Sequence, residues 1–432
     1  MTPGAAFRTL VHGAVGDRVD MQQRETEYRA IRPWASLLIR DFSLIWISSV
    51  LAAVCVQIRN VSNLYQVYHL SGSSFQLGLT GFFQALPHVV FGLFAGVLAD
   101  AFDRKKVILC THVAHLAPSL ALGFLTMTGA IQVWHIYVFS LLSSFIEVFS
   151  WPARAAIVPA LVPPSHLMNA ITLTSMILQS SFLVGPAIAG MLIDHAGLTP
   201  AYFVSASLFV PAIFAVLAMR KSGAPQGERR GVNLTSMLEG VKFVWVKRII
   251  LSLFLLDFGV TLVGFYRPIL PIFASDVFKT GATGLGMLYG APAIGSLLGS
   301  IAVLMFGDVK RKGALAIVAA LFFAGGLVLL GLSQWFWMAV AAVALLGFAD
   351  SLSVAIRRTV VQFMAPDAMR GRAASLITVF AQSTNALGAL LAGVAAELWG
   401  APRALVIGGI VCVLMIAGIS RAIPQLWSYR ST

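Results

Sequence analysis

The 432-residue chain is 58% hydrophobic and only 11% charged, with a mean hydropathy of +0.86. That is too little charge to cover a soluble domain of this length, so the chain reads as an integral membrane protein with many spans. The formal net charge of +13 does not signal nucleic-acid binding, because Lys and Arg recur in every second loop instead of forming one face.

Residues 1–40 are polar, with Arg8, Arg18, Arg24, Arg29, Arg32 and Arg40 among acids and Gly. They lack an apolar core followed by a small-residue cleavage site, so they read as a cytoplasmic tail and not as a signal peptide. Met21 is an alternative start to Met1. Apolar runs of about 20 residues then predict twelve spans. Six fall at 43–69, 77–99, 107–129, 133–156, 168–193 and 200–220. The other six fall at 249–270, 284–306, 314–332, 335–356, 373–396 and 403–420. The expected fold is all-α: an N-terminal six-helix bundle over 41–221, a cytoplasmic linker over 222–247 and a C-terminal six-helix bundle over 248–421. A short tail, 422–432, closes the chain. The linker carries Gly223, Pro225, Gly227, Glu228, Arg229 and Arg230, then an amphipathic stretch near Leu234–Val246.

Basic residues set the orientation. With the N-terminus inside, the cytoplasmic segments hold Arg104, Lys105, Lys106, Arg154, the Arg220–Arg248 region, Lys310–Lys312, Arg357, Arg358, Arg370, Arg372 and Arg421. The outward loops hold only Lys279 and Arg403, with Arg267 near the outer end of a span. Both termini are therefore expected in the cytoplasm. Cys55, Cys110 and Cys412 fall within apolar runs at no metal or disulfide spacing.

The halves repeat. Adding 203 to Glu147, Arg154, Gly185, Asp194 and Gly197 gives Asp350, Arg357, Gly388, Glu397 and Gly400. Adding 208 to Arg40, Arg59, Gly78 and Asp100 gives Arg248, Arg267, Gly286 and Asp308. The stretch Gly96-Val-Leu-Ala-Asp100-Ala-Phe-Asp103-Arg104-Lys105-Lys106, between spans two and three, closely resembles the loop signature of the major facilitator superfamily. It departs from it at Ala101 and Asp103. The segments Leu70–Ser74, Pro152–Pro159 and Val184–Gly190 are similar to the exporter branch of enterobactin, macrolide and drug efflux proteins. Gly185-Pro186, with Gly190, resembles the helix-bending antiporter motif of that branch, with Ala189 replacing one Gly. The resemblance implies a twelve-helix transporter working by alternating access, and it implies a gating role for Asp100 and Arg104.

An ionisable residue inside a span is costly unless it faces a cavity or a partner. Glu147 and Arg154 stand seven residues apart on one face of span four, and Asp350 and Arg357 repeat that spacing in span ten. Two roles fit: a cytoplasmic gate between the halves, joined by Gly96, Asp100, Arg104 and Asp308, or local helix packing. Arg59 and Arg267 either face a central cavity, making it favour anions, or snorkel to the interface as anchors. Gln57, Asn60, Asn63 and Gln66 make span one a cavity-lining helix, and Tyr266 is a further lining candidate. Asp257, alone in span seven, is the first candidate for proton coupling, with Glu147 second. His88, His112 and His115 read as packed, hydrogen-bonded residues. The chain has no metal-ligand cluster, acidic pair for pyrophosphate, phosphate-cradling loop or nucleotide motif. Neither an enzyme nor a cofactor or metal is expected. The leading function is a monomeric, proton-coupled exporter of small amphipathic molecules, siderophore or drug-like, in a bacterial inner membrane. A lysophospholipid or metabolite transporter, or a non-transporting sensor on the same fold, is the alternative.

Overall fold

A computed structural model describes residues 32–221, 248–306, 311–364 and 370–424, with the side chains of 93–101, 248–250, 306, 361–364 and 370–379 outside that description. The linker, the C-terminal tail, Asp308 and the first 31 residues lie outside the described residues. No strand occurs among those described. The first half consists of Arg40–Ser71, Ser74–Ala101, Arg104–Met127, Val133–Leu161, Leu167–Ala196 and Leu198–Leu217. In the second half, span seven starts with Arg248–Val263. Gly281–Phe306, Lys312–Gly331, Phe336–Met364, Arg370–Trp399 and Ala401–Ala422 follow. Among the described residues, ten segments are long and apolar enough to cross a membrane. Ser74–Ala101 and Arg370–Trp399, with 28 and 30 residues, are the other two helices of spanning length.

The helix pairings repeat between halves. Spans two and four pack together as do eight and ten; one and five as do seven and eleven; three and six as do nine and twelve. Across the interface, span two packs on eleven and span five on eight, which is the same pairing under the repeat. Glycine permits both crossings. A Cβ on Gly78 would lie 2.8 Å from the Gly393 Cα, and one on Gly190 would lie 2.4 Å from the Ala282 carbonyl oxygen. Repeat-related Gly185 and Gly388 press on Gln57 and Phe265 in the same way. The Gly-Pro motif thus sets close packing on two sides of span five, and the helix runs unbroken through Pro186. Gly197 and Gly400, also repeat partners, take φ of 90° and 80° at the turns into spans six and twelve.

Two expectations change. The polar tail was expected to run to residue 40, yet a 3-10 turn at Ala35–Leu38 precedes span one. Ser36 N–H donates to Asn169 Oδ1 at 3.1 Å and Ser36 Oγ to the His166 carbonyl at 3.2 Å, pinning this segment to the start of span five. Span seven was expected to be one helix ending at 270. Its α-helix stops at Val263, a 3-10 turn covers Arg267–Ile269, and a π-turn covers Phe273–Val277. Pro268 and Pro271 lack backbone N–H donors and cannot continue the helical ladder from this region.

Candidate functional site

Arg59 is 1% exposed, in the interior of the first half. Its Nη1 donates to Ser119 Oγ at 2.9 Å and to the His115 carbonyl at 3.4 Å, and Nη2 lies 3.2 Å from His115 Nδ1. His115 Nε2 is 3.3 Å from Glu147 Oε2, and Glu147 Oε1 is ion-paired to Arg154. A chain of charge-assisted contacts therefore runs from span one through span three to span four. Arg59 neither lines a cavity nor snorkels. Around a continuous helix its position points into its own half, where the network offsets the cost of burial. Asn63 is corrected in the same way: it is buried, donates to Ser140 Oγ at 3.0 Å and accepts from Tyr202 OH at 3.0 Å. Gln66 accepts from the same Tyr202 hydroxyl at 2.8 Å. Gln57 is half-buried and accepts from Asn60 Nδ2 at 3.3 Å beside Gly185.

The second half distributes its charges differently. Asp257 is not alone, because its carboxylate is ion-paired to Arg357 of span ten. Arg357 therefore does not pair with Asp350, as the spacing copied from Glu147 and Arg154 had suggested. Asp350 has one methylene fewer than Glu147. It is exposed at the middle of span ten, within electrostatic reach of Arg267. Arg267 leaves the break in span seven and lies over the ring of Phe182 on span five, 5.3 Å from the centroid. Its carbonyl accepts from Tyr289 OH at 2.6 Å. Tyr266 is buried against Phe323.

The halves are joined by polar contacts at the end opposite the basic loops. Asp194, ending span five, accepts from the Ala282 and Thr283 N–H groups of span eight at 2.9 and 2.7 Å. Glu397, ending span eleven, accepts from Phe75 N–H at 3.0 Å and Ser73 Oγ at 3.1 Å at the start of span two. These are repeat-related carboxylates on repeat-related helix N-termini, where free N–H groups and the helix dipole favour an anion. Tyr68 OH adds a hydrogen bond to Asp276. Deeper, Gln179 Nε2 donates to Ser296 Oγ at 3.2 Å. In the sequence Asp194 and Glu397 stand out as repeat partners, and their place at the ends of equivalent spans is the signal for a clasp.

At the basic end, side chains cap helices within the first half. Arg104 Nη1 donates to the Ala156 carbonyl at 3.0 Å, and Lys105 Nζ to the Met219 carbonyl at 2.7 Å. Asp41 accepts from the Arg220 and Lys221 N–H groups, both at 3.0 Å. The ion pairs of Glu147, Arg154 and Arg357 stay within their own half. Of the remaining gate candidates, Asp308 and the side chains of Gly96 and Asp100 lie outside the described residues. No group of three or more metal-ligating side chains occurs among the described residues.

The sequence profile of the transmembrane secretion effector family matches residues 31–429. The enterobactin exporter EntS of Shigella boydii serotype 18 is 26% identical over 352 residues, spanning 82% of this chain and 84% of that exporter. A bacterial homologue of the human lysosomal transporter Spinster, solved inward-facing and unoccupied, superposes with a TM-score of 0.72 at 16% identity. That match covers 93% of this chain and 100% of the homologue. The nucleoside transporter NupG matches with a TM-score of 0.69 at 14% identity, covering 90% and 100% of the two chains. At these identities the two structures speak to the fold alone.

Proposed function

Because this chain belongs to the transmembrane secretion effector family of major facilitator transporters, we propose that it is a secondary exporter. It carries small amphipathic molecules, siderophore or drug-like, out of the cytoplasm in exchange for protons. Its fold and its relatives are those of transporters, not of enzymes. The observation that carries the reading is the pair of clasps, Asp194 on span eight and Glu397 on span two. They hold the halves together at one end through a few breakable hydrogen bonds. Rigid halves joined this way can rock, with the clasps releasing as the basic end closes. Glu147, Arg154, Asp350 and Arg357, with Asp100 and Arg104, are then the groups available to that closure. The abundance of Lys and Arg at the end of Arg104 supports its assignment to the cytoplasm of a bacterial inner membrane.

The enterobactin exporters at 26% identity support the outward direction and the amphipathic cargo. Proton entry needs a carboxylate that changes hands during the cycle, and Glu147, Asp257 and Asp350 are the mid-membrane groups that could serve. The test compares compounds released by cells with and without the protein, under iron limitation and drug challenge. It is paired with uptake of the identified compound into everted vesicles. A saturable flux abolished by a protonophore supports the exporter; no compound differing between the strains and no flux in vesicles sinks it in favour of a sensor.

A further inference from the structure

Most of the charged side chains described along the spans are tied inside their own half. Arg59, Glu147 and Arg154 are tied to one another through His115, and Asp257 is paired with Arg357. Arg267 and Asp350 stand outside those ties. Arg267 acts electrostatically on Asp350, yet no ion pair joins them at 4.0 Å or less. Arg267 is positioned by the break in span seven and by the Phe182 ring of the opposite half, while Asp350 is exposed at the middle of span ten. An isolated charge in such a place is costly unless something complements it. Two opposite charges held apart are complemented together by one molecule carrying both signs.

We propose that Arg267, with the Phe182 ring, and Asp350 form a two-charge recognition site that selects amphipathic substrates bearing an anionic and a cationic group. The anion and an adjoining ring meet the guanidinium and Phe182, and the cation meets the carboxylate. This deepens the exporter reading and rests on it. It also gives exchange a physical route, because a proton on Asp350 removes the anchor for the cationic group. The titratable groups facing Asp350 are Arg267 and Tyr266 from span seven. Span eight contributes Tyr289, whose hydroxyl is given to the Arg267 carbonyl. Span nine brings no acid or base except Lys312 at its end, and span eleven carries charge only at Arg370, Arg372 and Glu397, near its two ends.

The test measures binding of three fluorescent probes to the purified full-length protein in detergent. Ciprofloxacin carries both charges, its methyl ester only the cation and its N-acetyl derivative only the anion. The wild type is expected to bind ciprofloxacin roughly tenfold or more tighter than either derivative. Arg267→Gln should lower ciprofloxacin affinity to that of the ester while ester binding is kept, and Asp350→Asn should lower it to that of the N-acetyl compound while that binding is kept. The retained probe shows in each case that the variant is folded. Arg267→Lys, which keeps the charge without the planar stack, should fall between. Equal wild-type affinities, no binding of any probe, or unchanged discrimination in either variant overturns the proposal. Transport in proteoliposomes separates it from the exporter reading. Proton-driven flux of all three probes at equal rates sinks the site and leaves the exporter. The expected binding pattern without any proton-dependent flux does the reverse.

Discussion

Spans one and seven occupy equivalent places in the two halves and carry an arginine at the same register, but they use it oppositely. Span one is a single helix, Arg40–Ser71, and it turns Arg59 inward, where Ser119, His115 and Glu147 absorb the charge. Span seven has Pro268 and Pro271 where span one has Asn60 and Asn63. Its α-helix ends at Val263 and the chain re-forms as short 3-10 and π turns. Arg267 thereby reaches the seam between the halves and rests on a ring of the opposite one. One half keeps its charges as internal ties, whereas the other rests Arg267 on a ring of the opposite half and leaves Asp350 exposed. Sequence symmetry carried the residue types across the repeat; backbone continuity decided what each does.

Four experiments can break or sharpen that contrast. The largest effect is expected at Arg59. Arg59→Leu removes the buried guanidinium that His115 and Ser119 hydrogen-bond and should cost about 3–5 kcal/mol, read as a lower thermal midpoint of the detergent-solubilised protein. Arg267→Gln, at the matched position, should stay within about 1 kcal/mol of wild type. Similar losses at both sites would erase the distinction drawn between the two spans.

Next comes the ion pair of the second half. Asp257→Leu strands a nearly buried Arg357 and should lower stability by about 2–4 kcal/mol, whereas Asp257→Leu combined with Arg357→Leu should recover most of it. If the double variant is no more stable than the single, the pair is not what holds Arg357. The clasps follow, at about 1–3 kcal/mol each for hydrogen bonds to a carboxylate. With spin labels at positions 195 and 279, Asp194→Ala should move the distance distribution towards longer separations, and Glu397→Ala should add to that shift. A distribution identical to wild type in the double variant would remove the clasps from the conformational balance. The smallest stability effect is expected from Pro268→Asn with Pro271→Asn, which copies span one into span seven. Stability should change by about 1 kcal/mol or less, while ciprofloxacin loses its advantage over the methyl ester as Arg267 is drawn away from Phe182. A retained advantage would show that the break does not place Arg267.

Much of the architecture could be read in advance from individual residues. The pairs Gly185 and Gly388, and Gly197 and Gly400, were found by offset and do the same physical work in each half. Asp194 and Glu397 were found by the same offset, but their purpose was not, because a carboxylate at a span end gives no sign of which helix N-terminus lies opposite. Pro268 and Pro271 did signal the break in span seven, and they went unused because the apolar run continues through them. Asp257 looked solitary because Arg357 lies 100 residues further along. Arg59 looked cavity-facing because Gln57, Asn60, Asn63 and Gln66 surround it. Two of those four, Asn63 and Gln66, instead point into a buried cluster around the Tyr202 hydroxyl.

By itself the sequence determined that the chain is a membrane-embedded helical repeat, since transfer from water to lipid sums over consecutive side chains and needs no knowledge of partners. It also determined which residues are expensive to hold there. Which charges would be cancelled and which left open was decided only by the tertiary structure. That choice turns on the rotation of each helix about its axis, on whether span seven continues through two prolines, and on the single methylene by which Glu147 outreaches Asp350.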